Sequence, residues 1–207
     1  YVIFATVSVL GIAQQVFLPY FIIYFEFYLG IQDYAMILAA ILILASLISI
    51  FGGRFVDRLG KKKLLVPMGL GYFLGMIVLF FLGKWLVNQA TFNAILTVVF
   101  AVIMMGSYLV MMVILNAMGR DRIPVSHIGV FSGIRMIFFV MIPMIIGPFI
   151  GASVIKNSPS TYTDAFGVIQ STPTPEIFLA GSIVVLIAFL PIWLIHRMEI
   201  EQGVSGI

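Results

Sequence analysis

Residues 35–63 read AMILAAILILASLISIFGGRFVDRLGKKK. The first part, 35–51, carries no charge and approaches the roughly 20 apolar residues that cross a hydrocarbon core. The second part gathers Arg54, Arg58, Lys61, Lys62 and Lys63 around a single acid, Asp57. An apolar run that stops on clustered cations reads as a membrane helix meeting anionic headgroups. Working outward, runs of similar length and character recur near 1–25, 64–86, 92–115, 129–152 and 177–195.

The composition points the same way. Of 207 residues, 62% are hydrophobic and 9% charged, where an ordinary soluble domain carries about 25% charged residues; mean hydropathy is +1.20. The runs are apolar nearly all round, which argues against a soluble amphipathic bundle. They also lack the roughly ten-residue alternation of barrel strands. The first run has no short basic lead of a signal peptide. The fold class expected is therefore an all-α membrane protein, a six-transmembrane-helix bundle forming one domain over residues 1–207. Tyr1 opens the chain without an initiator methionine, as expected of a piece of a longer polypeptide.

If successive spans alternate, one side receives Arg54, Arg58, Lys61, Lys62, Lys63, Arg120, Arg122, Arg135 and Arg197, and the other only Lys84 and Lys156. Nine cations against two predicts that the basic side and both chain ends are cytoplasmic. The expected location is a bacterial inner (plasma) membrane. Outer turns are expected at 26–34, with Glu26, Gly30 and Asp33, and at 87–93, with Asn88, Gln89 and Asn93. A long outer loop is expected at 153–176. Pro173 and Pro175 stiffen the approach to the last helix, and Glu176 suits its positive N-terminal end.

Within the spans, Gly71/Gly75, Gly129/Gly133 and Gly147/Gly151 are small pairs four apart that let helices approach closely. Pro19, Pro143 and Pro148 each free a carbonyl and bend a helix. The polar side chains that suit a solute path are Gln14, Gln15, Tyr20 and Tyr24 in the first span and Tyr108 in the fourth. An amide both donates and accepts, and a tyrosine joins an aromatic face to a hydroxyl; the same groups serve equally to bond or pack neighbouring helices. There is no phosphate-binding loop, no cluster at metal-ligand spacing and no nucleophile beside a base. No enzyme activity, cofactor, metal or nucleic-acid partner is expected.

The segment Gly53, Phe55, Asp57, Arg58, Gly60, Lys61 and Lys62 resembles the signature loop of the major facilitator superfamily, although the residues alone read equally as a topology anchor. Pro143, Gly147, Pro148 and Gly151 resemble the proline-glycine pattern of a fifth or eleventh helix there. Arg120-Asp121-Arg122, with His127, Ser132 and Arg135, resembles the connection leading into it. The resemblance implies half of a secondary transporter working by alternating access, more in keeping with the C-terminal half because of its first span and long outer loop. It implies as partners a lipid bilayer, a small-molecule solute and the missing six-helix half. It implies a cytoplasmic gate at Gly53, Asp57, Arg58, Gly60, Lys61 and Lys62. A small polar, sugar-like solute is the first expectation; export of amphipathic compounds, or a structural or channel role, is the alternative. All eight acids fall on loops or helix ends, so no coupling acid is expected at the midplane.

Overall fold

A computed structural model of the chain describes residues 2–31, 33–85, 90–121, 128–164 and 166–204, with the side chains of 57, 59, 62, 90–94, 128, 196 and 198–204 set aside. Six helices are long and apolar enough to cross a membrane. We number them α1 (Val2–Tyr28), α2 (Tyr34–Leu59), α3 (Lys61–Trp85), α4 (Ala90–Arg120), α5 (Gly129–Ile155) and α6 (Glu176–Val204).

The helices run past the apolar stretches at both ends, because the flanking polar residues stay helical. The largest correction concerns the segment after the second span. Gly52 to Leu59 continue α2, and the loop expected from Gly53 to Lys62 shrinks to a break at Gly60 alone. Gly60 takes φ +91°, a conformation that only glycine adopts cheaply, and its N–H donates to the Val56 carbonyl at 3.0 Å. Glu26 likewise lies inside a helical turn, not in the outer loop.

Two helices are interrupted where proline removes a donor. α1 tightens to a 3₁₀ turn at Leu18–Tyr20 around Pro19 and widens to a π turn at Tyr24–Tyr28. α5 carries a π turn at Ile137–Met141 just before Pro143. Pro148, Pro67 and Pro191 sit inside regular helix.

Helix neighbours obey a simple exchange. α1 packs on α5 and α6, and α4 packs on α2 and α3; α1 also meets α4, and α3 meets α6. Swapping the first three helices for the last three leaves this pattern unchanged. Because three spans is an odd number, the second triplet crosses in the opposite sense, so the exchange is an inverted repeat.

Glycine sets how closely these pairs approach. A methyl group at Gly75 would lie 2.8 Å from Met104 Cβ and 3.1 Å from its Cα. One at Gly147 would collide with the Gln15 backbone, and one at Gly151 with Val16 and Tyr20. Gly129 and Gly133 face nothing within 4 Å, so the close approach expected at this pair is not made among the described residues.

The long loop between α5 and α6 adds an element that the sequence did not announce. Thr161–Thr163 (β1) and Ile169–Ser171 (β2) pair antiparallel, with Tyr162 opposite Gln170. Asp164 closes the hairpin: its carboxylate accepts the N–H groups of Phe166 and Val168 and the side chain of Gln170, each at 2.9 Å. Tyr162 stacks obliquely on Phe27 at the tip of α1, ring centroids 4.6 Å apart.

Candidate functional site

Ile3, Val7, Gln14, Leu18 and Ile22 are separated by four or seven residues and so form one stripe along α1. Hollows lie at both ends of it. At the basic end a space of about 20 Å³, enough for a water molecule, sits between Ile3 and Val7 of α1, Asn116 and Arg120 of α4, and Arg135 and Phe139 of α5. At the opposite end Leu18, Phe21 and Ile22 of α1, Leu38, Ile41 and Leu42 of α2, and Met105 of α4 line a cavity of about 250 Å³. Gln14 falls between the two. It is half-buried, and its carboxamide makes no hydrogen bond among the described residues.

The other path candidates are engaged with neighbouring helices. Gln15 points about 100° away from Gln14, and its backbone lies against Gly147 of α5. Tyr20 donates from its hydroxyl to the Pro148 carbonyl at 3.0 Å. Tyr24 is buried, stacks on Tyr28 and meets Phe178 of α6 edge-on. Tyr108 is buried against Tyr72 of α3, ring centroids 5.3 Å apart. The Tyr72 hydroxyl is itself buried without a hydrogen-bond partner. The helix bends fall beside this stripe: Pro143 packs on Gly11, and Pro19 opens α1 next to the larger cavity.

Of the expected gate residues, Gly53 lies within α2 and faces open space, Arg58 is exposed, and Gly60 makes the break. The side chains of Asp57 and Lys62 lie outside the described residues, as do those of Arg122, His127, Asn88, Gln89 and Asn93. Lys61 is bonded within the chain to Asp121, tying the start of α3 to the end of α4. The sequence signal for that pair is an acid flanked by two arginines, which reads first as a bare connection.

A second tie closes the opposite end. Lys84, near the end of α3, lies 3.0 Å from Glu176 at the start of α6, and Tyr28 of α1 donates to the Gly83 carbonyl at 3.2 Å. Lys84 also sits over the Phe80 ring, 5.1 Å from its centroid. No three acidic or histidine side chains among the described residues gather as a metal site would require.

No curated protein and no solved structure matches the chain. Residues 3–206 match the Major Facilitator Superfamily, and with its six membrane-length helices the chain, an integral membrane protein, belongs to that family.

Proposed function

We propose that this bundle is one half, the C-terminal one, of a secondary transporter that carries a small hydrogen-bonding solute by alternating access. The observation that carries the reading is the unpartnered carboxamide of Gln14, held midway along α1 between a hollow at each end. Gln14 is half-buried and unbonded among the described residues; an amide facing an apolar path away from bulk water gains from a partner, and a solute group supplies what the neighbouring helices do not. The second bundle rocks against this one, so that the α1 stripe faces first one side and then the other. The nine-to-two division of cations supports placing the basic end, with both chain ends, in the cytoplasm. Asp57 and Arg58 then latch that end against the other half.

The intact transporter in proteoliposomes tests this by saturable, trans-stimulated exchange of radiolabelled methyl and octyl glucosides. Gln14→Ala raises the half-saturating concentration about fivefold, the equivalent of one hydrogen bond of about 1 kcal/mol, and Gln15→Ala leaves it within about twofold. A flux that never saturates identifies a channel. Equal effects of the two substitutions sink the assignment of Gln14.

A further inference from the structure

We propose that the cavity between α1, α2 and α4 receives the apolar end of an amphipathic solute whose hydrogen-bonding end is held by Gln14. The inference rests on the transport reading above and narrows it to a class of solute.

Three independent observations meet at this place. The first is chemical: leucine, isoleucine, phenylalanine and methionine alone line about 250 Å³. A cavity of about 150 Å³ with such walls stays dry and accepts benzene. The second is conformational, for α1 leaves regular helix at Leu18–Tyr20, where Leu18, Phe21 and Ile22 contribute their side chains. Irregular backbone at membrane depth is tolerated where it lines a cavity. The third is the polar anchor: Gln14 lies one turn from Leu18 on the same stripe, about 6 Å along the axis, with its amide unpartnered among the described residues.

A solute bearing hydroxyls all round does not fit this combination. The walls return no hydrogen bonds, and each stripped hydroxyl costs free energy. A head able to meet one amide, followed by a short apolar tail, satisfies both parts at once. A phospholipid places its phosphate at the membrane surface, remote from an anchor midway along α1, so a free amphiphile fits better.

The chain contains no cysteine, so a single Leu42→Cys at the cavity rim reports occupancy through its rate of alkylation by N-ethylmaleimide. The full chain in nanodiscs is exposed to β-glucosides with methyl, butyl, hexyl, octyl, decyl or dodecyl tails, below their micelle concentrations. Protection should strengthen about fourfold per methylene, which is ~0.8 kcal/mol, and reach a plateau once the tail fills the cavity. Gln14→Ala should weaken it about fivefold at every length. Ile22→Cys, on the facing helix, repeats the measurement should Leu42→Cys misfold.

Protection that keeps rising beyond the plateau length and ignores Gln14→Ala is partition into lipid, and overturns the proposal. Methyl glucoside protecting as well as octyl glucoside overturns it in favour of a wholly polar solute. Intact protection without saturable exchange refutes alternating access and leaves the cavity site standing. Exchange with equal half-saturation for both glucosides refutes the cavity site and leaves transport standing.

Discussion

α2 and α4 have equal hydropathy across their most apolar stretches, yet 61% of that stretch is buried in α4 and 11% in α2. α1 and α5, the next pair, divide in the same direction at 50% and 17%. Apolar character therefore says that a helix enters the membrane and nothing about what it faces there, since lipid tails and leucine side chains are alike as solvents. Shape separates the two roles. α4 presents Met104, Gly106, Ser107 and Met111 to close neighbours, with Ser107 lying 2.6 Å from where a methyl on Gly71 would be. α2 turns Leu42, Ile43, Leu47, Ile50 and Phe51 outward. The two most central helices, with a few side chains of α2 and α5, line the hollows at the ends of the stripe, and the rest of the two most exposed helices offers surface to lipid.

If that division is physical, adding volume to the two kinds of helix has opposite consequences. Gly75→Leu forces α3 against the Met104 backbone and should destabilise the bundle by about 2–3 kcal/mol, as overpacking does. Gly133→Leu on α5 meets open space and should change stability by less than about 0.5 kcal/mol. Denaturant unfolding of the two variants in the same bicelles measures both. Comparable losses would mean that α5 is as tightly packed as α3, and the division would fail.

The next largest effect is a gain. Tyr72 is fully buried between α3 and α4, and its hydroxyl has no partner. Tyr72→Phe removes an unbonded polar group without changing shape, and should stabilise the bundle by about 1 kcal/mol. A loss of stability, seen in the same unfolding assay, would show that the hydroxyl is bonded after all.

How much of this was legible beforehand follows from the same contrast. The six spans were readable because hydrocarbon thickness imposes a length and a composition on each helix. The break after α2 was readable in kind but not in extent. Gly60 announced a reversal, while Gly52 and Gly53 read as loop because isolated glycine weakens a helix and their surroundings were unseen. Gln14 and Gln15 were indistinguishable as neighbours in sequence; only the approach of Gly147 decides which of them lies against α5. Tyr20, Tyr24 and Tyr108 suited a solute path by chemistry, and their places in helix contacts depend on partners on other helices, Pro148, Phe178 and Tyr72. The ties Lys61–Asp121 and Lys84–Glu176 have no local signature that names the partner, because each joins residues distant in the chain.

Those ties hold the ends of helices and contribute less than the packing between them. Lys84 and Glu176 are each more than a third exposed, so solvent screens their attraction. A double-mutant cycle of Lys84→Ala and Glu176→Gln should return a coupling of roughly 0.5–1 kcal/mol, falling with added salt. A coupling beyond about 2 kcal/mol would make this ion pair, and not helix packing, the main link between α3 and α6.

The smallest effect on the bundle is expected from the hairpin, which touches α1 through Tyr162 and Phe27. The Asp164 carboxyl is lowered from its ordinary value of 3.8, chiefly because the Val168 N–H bonds to its charged form; desolvation opposes this, and the bonds from Phe166 and Gln170 add to the lowering. A depressed folded-state value means that the charged form is favoured by the folded hairpin. Its contribution is therefore fully present above the unfolded value and is lost as pH falls through the folded one. The hairpin should loosen only below about pH 3.8, and Asp164→Ala should reproduce that loosening at neutral pH. Amide exchange at Phe166 and Val168 measures it: both should speed up in the variant, while amides of α4 and the unfolding midpoint of the bundle stay unchanged. If the buried stretch of α4 exchanged faster as well, the central helices would depend on this loop, and the separation between a core fixed by packing and a periphery fixed by polar ties would no longer hold.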